Sequence, residues 1–193
     1  ASLVGARLFL PIHLLWINLI TDCFPAVALG LEAAGKDAMR QPPRRAEEGI
    51  FAGGMGFAIL RQGAAIAALT LLAYAAGLAR GPETATAMAF FTLSGAEIFH
   101  SWNMRSRHIS IFRLPTGNRY LAAAMLAAFA LNLALLYIPP AAGLFRLVPL
   151  APGQLLQALL LSFAIVPLVE AGKWLRLRQN AANWRREPGR EKN

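Results

Sequence analysis

The sequence predicts an all-α membrane protein, a bundle of five transmembrane helices, and three observations carry that prediction. Five apolar segments, at approximately 12–31, 62–79, 85–103, 120–138 and 153–172, each have about the 17–25 helical residues needed to cross a hydrocarbon core. Of the 193 residues, 56% are hydrophobic and 15% are charged, against about 25% charged in an ordinary soluble domain. The Lys and Arg residues gather in alternate connections, as they do where basic loops stay cytoplasmic.

The first segment is apolar except near its middle. Asn18, Thr21 and Asp22 stand at i, i+3 and i+4, so a helix puts an amide, a hydroxyl and a carboxylate on one face. Pro25 has no N–H, so the carbonyl four residues back, on Thr21, loses its helical partner. A carboxylate inside a membrane helix is expensive and is by default a functional residue. Hard cations such as calcium are bound by mixed oxygen sets of this kind. The second segment is the weakest, because Arg61 sits at its start and the preceding Phe51–Leu60 is Gly-rich. The cluster Gly49, Gly53, Gly54 and Gly56 permits close helix packing; no Lys-Ser/Thr follows, so it is not a phosphate loop.

The third segment carries Glu97 near its middle, the fourth contains Asn132, and the fifth closes on Glu170, three residues before Lys173. Trp16, Trp102, Tyr120, Tyr137 and Trp174 lie near span ends, as an aromatic belt requires. Residues 1–178 therefore read as a transmembrane domain. Residues 179–193, polar and charge-rich, are expected to be a disordered cytoplasmic tail.

Orientation follows from the charges. Lys36, Arg40, Arg44, Arg45 and Arg61 share one side with Arg105, Arg107, Arg113 and Arg119 and with the basic tail, while the other side has only Arg7, Arg80 and Arg146. An integral, multi-pass cell-membrane protein with its N-terminus outside and its C-terminus cytoplasmic is expected. The net charge of +9 would suggest nucleic acid in a soluble chain, but here the basic residues obey a topology rule and no nucleic-acid partner is expected. The single Cys23 excludes an intramolecular disulfide and a Cys-built metal cluster. Ala1–Leu10 has no signal-peptide pattern. An odd number of spans behind an outside N-terminus reads as the C-terminal part of a larger protein. No nucleotide motif, nucleophile elbow or zinc spacing is present, so no catalytic or cofactor-binding residue is expected.

Three acids fall inside spans. Glu170 reads as an interfacial ion pair or helix-end residue. Asp22 is the strongest site candidate. Glu97 reads either as a packing carboxylic acid held neutral by burial or as a second ligand or proton carrier, with Ser94, His100 and Ser101 on its helical face. A lone histidine in a helix is more often a packing residue, so His100 reads as one, with His13 and His108 as unremarkable interfacial residues and Cys23 as a small apolar filler.

These residues form a recognisable pattern. Leu14-Leu15-Trp16-Ile17-Asn18-Leu19-Ile20-Thr21-Asp22, followed by Pro25-Ala26-Val27-Ala28-Leu29-Gly30, resembles the sixth transmembrane helix of type II P-type cation-transporting ATPases, the calcium-pump group. Met39-Arg40-Gln41-Pro42-Pro43-Arg44 resembles the cytoplasmic loop that follows that helix. The resemblance implies that the five spans are the sixth to tenth helices of a ten-helix membrane domain. It implies metal-ligand roles for Asn18, Thr21, Asp22 and Glu97, with Asp22 bridging two ion sites and Glu97 completing one of them. His100 departs from the amide-bearing residue of the animal calcium pumps. The implied whole protein hydrolyses ATP through an aspartyl-phosphate and exports a cation, calcium first, with protons returning. Magnesium and ATP would bind only the full-length protein, since the Asp-Lys-Thr-Gly motif and nucleotide domain are not in this chain. The implied partners are the missing N-terminal transmembrane helices and cytoplasmic domains of the same pump, and the lipid bilayer. This chain alone is expected to lack ATPase activity. The rival readings are a stand-alone channel or scaffold subunit, and a pump for sodium, potassium or protons.

Overall fold

The computed structural model describes residues 2–3, 6–32, 49, 54–106, 110–114 and 117–186. The 39–44 motif, His108 and tail residues 187–193 lie outside the described residues. Ahead of the first span, β1 (Ser2–Leu3) and β2 (Ala6–Arg7) pair antiparallel, a two-residue ribbon absent from the all-α expectation. All other regular structure among the described residues is helical.

The first span is a rod of 20 residues made of α1 (Pro11–Ile17), a π turn (Asn18–Asp22) and α2 (Cys23–Gly30). Pro11 occupies the first helical position, where a missing N–H is no loss. The turn widens just ahead of Pro25, which cannot donate to the Thr21 carbonyl.

α3 (Met55–Leu78) begins earlier than the expected 62, at the glycine hinge Gly54 with φ 74°. Arg61 is therefore inside the helix rather than at its edge. It is accommodated because the helix Ile165–Arg186 presents Gly172 to it: a methyl there would lie 2.6 Å from a guanidinium nitrogen. α4 (Pro82–Met104) follows with Pro82 in its first turn and Glu83 beside it, which suits the positive end of the helix. Gly77 and Ala85 meet at backbone distance, since a Cβ on Gly77 would stand 2.5 Å from the Ala85 Cα. Such close approach is what small residues allow between membrane helices.

Among the described residues, four helices are long and apolar enough to cross a membrane: Pro11–Gly30, Met55–Leu78, Arg119–Tyr137 and Pro152–Arg176. α4, the expected third span, is 23 residues long but less apolar. Its surroundings explain the difference. It packs on α3, on the π turn and on the two last spans, and Ala87, Met88, Phe90, Ala96 and Ile98 are buried. A helix sheathed by protein can carry hydroxyls that bond inward: Ser94 Oγ donates to the Phe90 carbonyl at 2.9 Å. The peripheral helices instead turn Leu15, Val27, Phe57, Leu60, Leu126 and Leu160 outward, an apolar exterior of the kind that lipid covers.

α5 (Arg119–Tyr137) starts where Asn118 Oδ1 accepts the Leu121 N–H at 2.9 Å. The short α6 (Pro139–Phe145) follows it. The expected fifth span, 153–172, is two helices, α7 (Pro152–Phe163) and α8 (Ile165–Arg186), joined at Ala164. The cause is Pro167, which has no N–H for the Phe163 carbonyl. α8 continues to Arg186, so residues 179–186, expected in the disordered tail, are helical.

Candidate functional site

The π turn carries the polar residues of the first span. Thr21 is buried, 2% exposed. Its hydroxyl lies 2.6 Å from the Ile17 carbonyl, one turn back, and 2.7 Å from Oε2 of Glu97 on α4. A threonine bonding back to its own helix competes with the amide ladder, which fits the widened turn at this position. Glu97 also borders a cavity of about 360 Å³ shared with Phe9, Thr70 and Leu93. Of the four residues singled out from the sequence, the structure thus joins Thr21 and Glu97 across two helices. Asn18 is exposed on the same turn. Asp22 closes that turn, and its side chain lies outside what the structure describes.

The residues that share the helical face of Glu97 on α4 have engagements of their own. Ser94 and Ser101 donate to carbonyls of their own helix, Phe90 at 2.9 Å and Ile98 at 2.6 Å. His100 is half-buried, and its Nδ1 has no hydrogen-bond partner. Cys23, read from the sequence as a packing filler, is exposed. Glu170 is the ion-paired residue the sequence suggested: Lys173 Nζ lies 2.8 Å from its Oε1 and also donates to the Asn103 carbonyl at 3.2 Å. Asn132 is buried and accepts the Trp16 indole N–H at 3.0 Å, tying α5 to α1.

Sequence reasoning missed His13. It is 1% exposed, packed among the rings of Phe9, Phe90 and Phe145. Its Nδ1 accepts the Leu10 N–H at 3.2 Å while Nε2 meets the Phe145 carbonyl at 2.6 Å, which makes Nε2 the protonated nitrogen. A signal was present. Proline at the first helical position followed two residues later by a polar side chain can return that side chain to the capping amide. α7 repeats the device, with Gln154 Oε1 accepting the Ala151 N–H at 2.7 Å after Pro152.

Comparison with known proteins identifies the family of the chain. Residues 7–175 match the family model described as cation transporting ATPase, C-terminus. The chain is 36% identical over 168 residues to the calcium-transporting ATPase of Bacillus subtilis (strain 168), covering 86% of this chain and 19% of that one. It is 38% identical over 178 residues to calcium-transporting ATPase 1 of Bacillus cereus, covering 82% and 20%. With the probable calcium-transporting ATPase of Trypanosoma brucei brucei the identity is 34% over 167 residues, covering 72% and 16%. The chain spans about a fifth of the length of these bacterial relatives. With its apolar helices and a family match over most of its length, the chain is an integral membrane protein that belongs to the C-terminal membrane region of the P-type cation-transporting ATPases.

Proposed function

We propose that this chain supplies part of the ion site and the supporting scaffold of an ATP-driven pump that exports calcium from the cytosol and returns protons. The observation that carries the reading is the contact between Thr21, in the π turn, and Glu97, on the protein-sheathed helix α4. A hydroxyl and a carboxylate held together from two helices, inside a membrane-length bundle, are oxygen ligands of the type a hard cation takes. Among the described residues no three His, Cys, Asp or Glu come together. The remaining ligands on this reading are Asn18, Asp22 and oxygens of helices outside this chain.

The same contact supports the proton half of the cycle. Thr21 has one hydroxyl hydrogen, yet Oγ1 lies within bonding distance of two acceptors, the Ile17 carbonyl and Glu97. A protonated Glu97 satisfies both: its O–H donates to Thr21 Oγ1, whose own hydrogen goes to Ile17. An arriving cation would take that proton's place, and release of the cation would let it return. ATP, magnesium and the phosphorylated aspartate belong on this reading to the part of the pump outside this chain. Residues 1–178 would be the membrane domain, with the N-terminus outside and the tail in the cytoplasm.

The test is calcium-45 binding to the full-length protein, with Asp22→Asn and Glu97→Gln beside the wild type. Both substitutions are expected to reduce binding, with magnesium failing to compete. A wild type that binds no calcium would sink the calcium assignment. Unchanged binding in both variants would remove these residues from the site.

A further inference from the structure

Another polar group fastens the far end of the first span. The closing turn of α2 directs its last amides to near carbonyls, Leu31 N–H to Val27 at 3.2 Å and Glu32 N–H to Leu29 at 3.1 Å. The Ala28 carbonyl is thereby left for an outside donor, as happens at helix C-termini. Asn118 Nδ2 donates to it at 3.1 Å and to Glu32 Oε2 at 3.2 Å. The other end of the same amide, Oδ1, caps α5 through Leu121 N–H. Glu32 in turn receives the guanidinium of Arg105 from the end of α4, Nη2 to Oε1 at 2.7 Å and Nε to Oε1 and Oε2 at 2.9 and 3.1 Å. The Arg105 side chain is 5% exposed and that of Glu32 23%. A planar fork on a carboxylate fixes geometry as well as charge.

The clasp joins the same two elements that carry Thr21 and Glu97. Along the rod, Ala28 is about 10 Å of helix from Thr21; along α4, Arg105 is about 12 Å from Glu97. A tie between the two elements at one level constrains how closely they approach at the other.

We propose that Asn118, Glu32 and Arg105 are positioning residues for the ion site, setting how closely the Thr21 hydroxyl meets the Glu97 carboxyl group. The proposal rests on the reading of Thr21 and Glu97 as ion ligands. Asn118 is the most telling of the three because its two ends do separable jobs. Oδ1 accepts for α5, and Nδ2 donates to α2 and Glu32. Aspartate can do only the first.

The experiment is calcium-45 binding to the full-length protein carrying Asn118→Asp, with Asn118→Ser as the shorter cap and Glu97→Gln in parallel. Asn118→Asp keeps the α5 cap and sets a carboxylate against Glu32 and the Ala28 carbonyl. Calcium affinity is expected to fall about tenfold, the lower end of the range for residues that orient metal ligands. The number of sites and the yield of folded protein are expected to hold. Asn118→Ser, which caps α5 but is too short to span to α2, is expected to shift affinity in the same direction and serves if the aspartate variant fails to fold. Unchanged affinity in both Asn118 variants overturns the proposal. So does reduced yield with unchanged affinity in the protein that remains, since that is the result of a helix staple. If Glu97→Gln reduces binding while the Asn118 variants do not, this proposal falls and the ion-site reading stands. If Glu97→Gln has no effect, both fall.

Discussion

Two membrane-length elements are interrupted by a proline, and they differ in what surrounds the interruption. In the first, Pro25 follows the π turn Asn18–Asp22; in the last, Pro167 follows the break at Ala164 between α7 and α8. Each proline deprives the carbonyl four residues back of an amide, on Thr21 and on Phe163. Beside the first gap a buried hydroxyl reaches Glu97 on another helix. Beside the second, Ile165 and Val166 are buried apolar residues. The nearby Ser162 hydroxyl lies 2.8 Å from the Ala158 carbonyl and 3.2 Å from that of Thr92. A proline opens a gap in the ladder; the side chains around it decide whether the gap forms a polar site or bends a scaffold helix.

The comparison breaks most severely if the polar side chains at the first gap are dispensable. Thr21→Val and Glu97→Gln are each expected to lower calcium-45 affinity of the full-length protein by about 10- to 100-fold. Combined, they are expected to do less than the product of the single effects, because they act on one contact. Ser162→Ala at the second gap is expected to leave affinity unchanged.

The second gap has its own sensitive point. Gly95 on α4 faces Ser162, and a Cβ there would stand 2.6 Å from Ser162 Oγ and 3.0 Å from its Cβ. Gly95→Ala is expected to destabilise the protein by about 1–3 kcal/mol through overpacking, read as a lower midpoint of thermal unfolding in detergent. Calcium affinity in the folded protein should hold. An affinity loss as large as that of Thr21→Val would erase the distinction between site and scaffold.

Replacing the prolines sharpens the comparison at smaller amplitude. Pro25→Ala restores a donor for the Thr21 carbonyl and is expected to weaken calcium binding by about fivefold, the equivalent of one hydrogen bond of about 1 kcal/mol. Pro167→Ala makes the same repair between α7 and α8 and is expected to leave binding unchanged. Parallel titrations of the two variants decide it.

The parts of this arrangement that sequence revealed are those set by local periodicity and chain direction. The first span was expected at 12–31 and is Pro11–Gly30; the fourth was expected at 120–138 and is Arg119–Tyr137. Hydrophobic length defines such elements wherever lipid surrounds them. The pairing of Glu97 with the first span was suggested by its being an acid in mid-helix. Three features resisted. Arg61 reads as a helix boundary because a cation in a span is expensive, and it is interior because Gly172 on a distant helix makes room for it. Pro167 carries the same local signal as Pro25, but no polar side chain stands three or four residues ahead of it, where Asp22 and Thr21 mark Pro25. Glu32, Arg105 and Asn118 look like loop residues in sequence, and their clasp exists because helix ends far apart in the chain meet in space.

The smallest expected effect concerns that clasp and is read in acid. Hydrogen bonds from Arg105 and, to a lesser degree, Asn118, together with the Arg105 charge, hold the Glu32 carboxyl below its ordinary value of 4.5, outweighing a partial desolvation that acts the other way. A group whose folded-state value is depressed stabilises the fold fully above its unfolded value and loses that contribution as pH falls through the folded one. The clasp should therefore be intact at neutral pH and weaken below pH 4.5. Its contribution is expected to be about 1 kcal/mol, because a partly solvated ion pair is screened by water. Thermal unfolding midpoints followed from pH 6 downward should fall less steeply in Glu32→Gln than in the wild type, with the two curves converging at the acid end. Parallel curves would mean that the Glu32 charge contributes nothing to stability. The tie between α2 and α5 would then depend on the Asn118 amide alone.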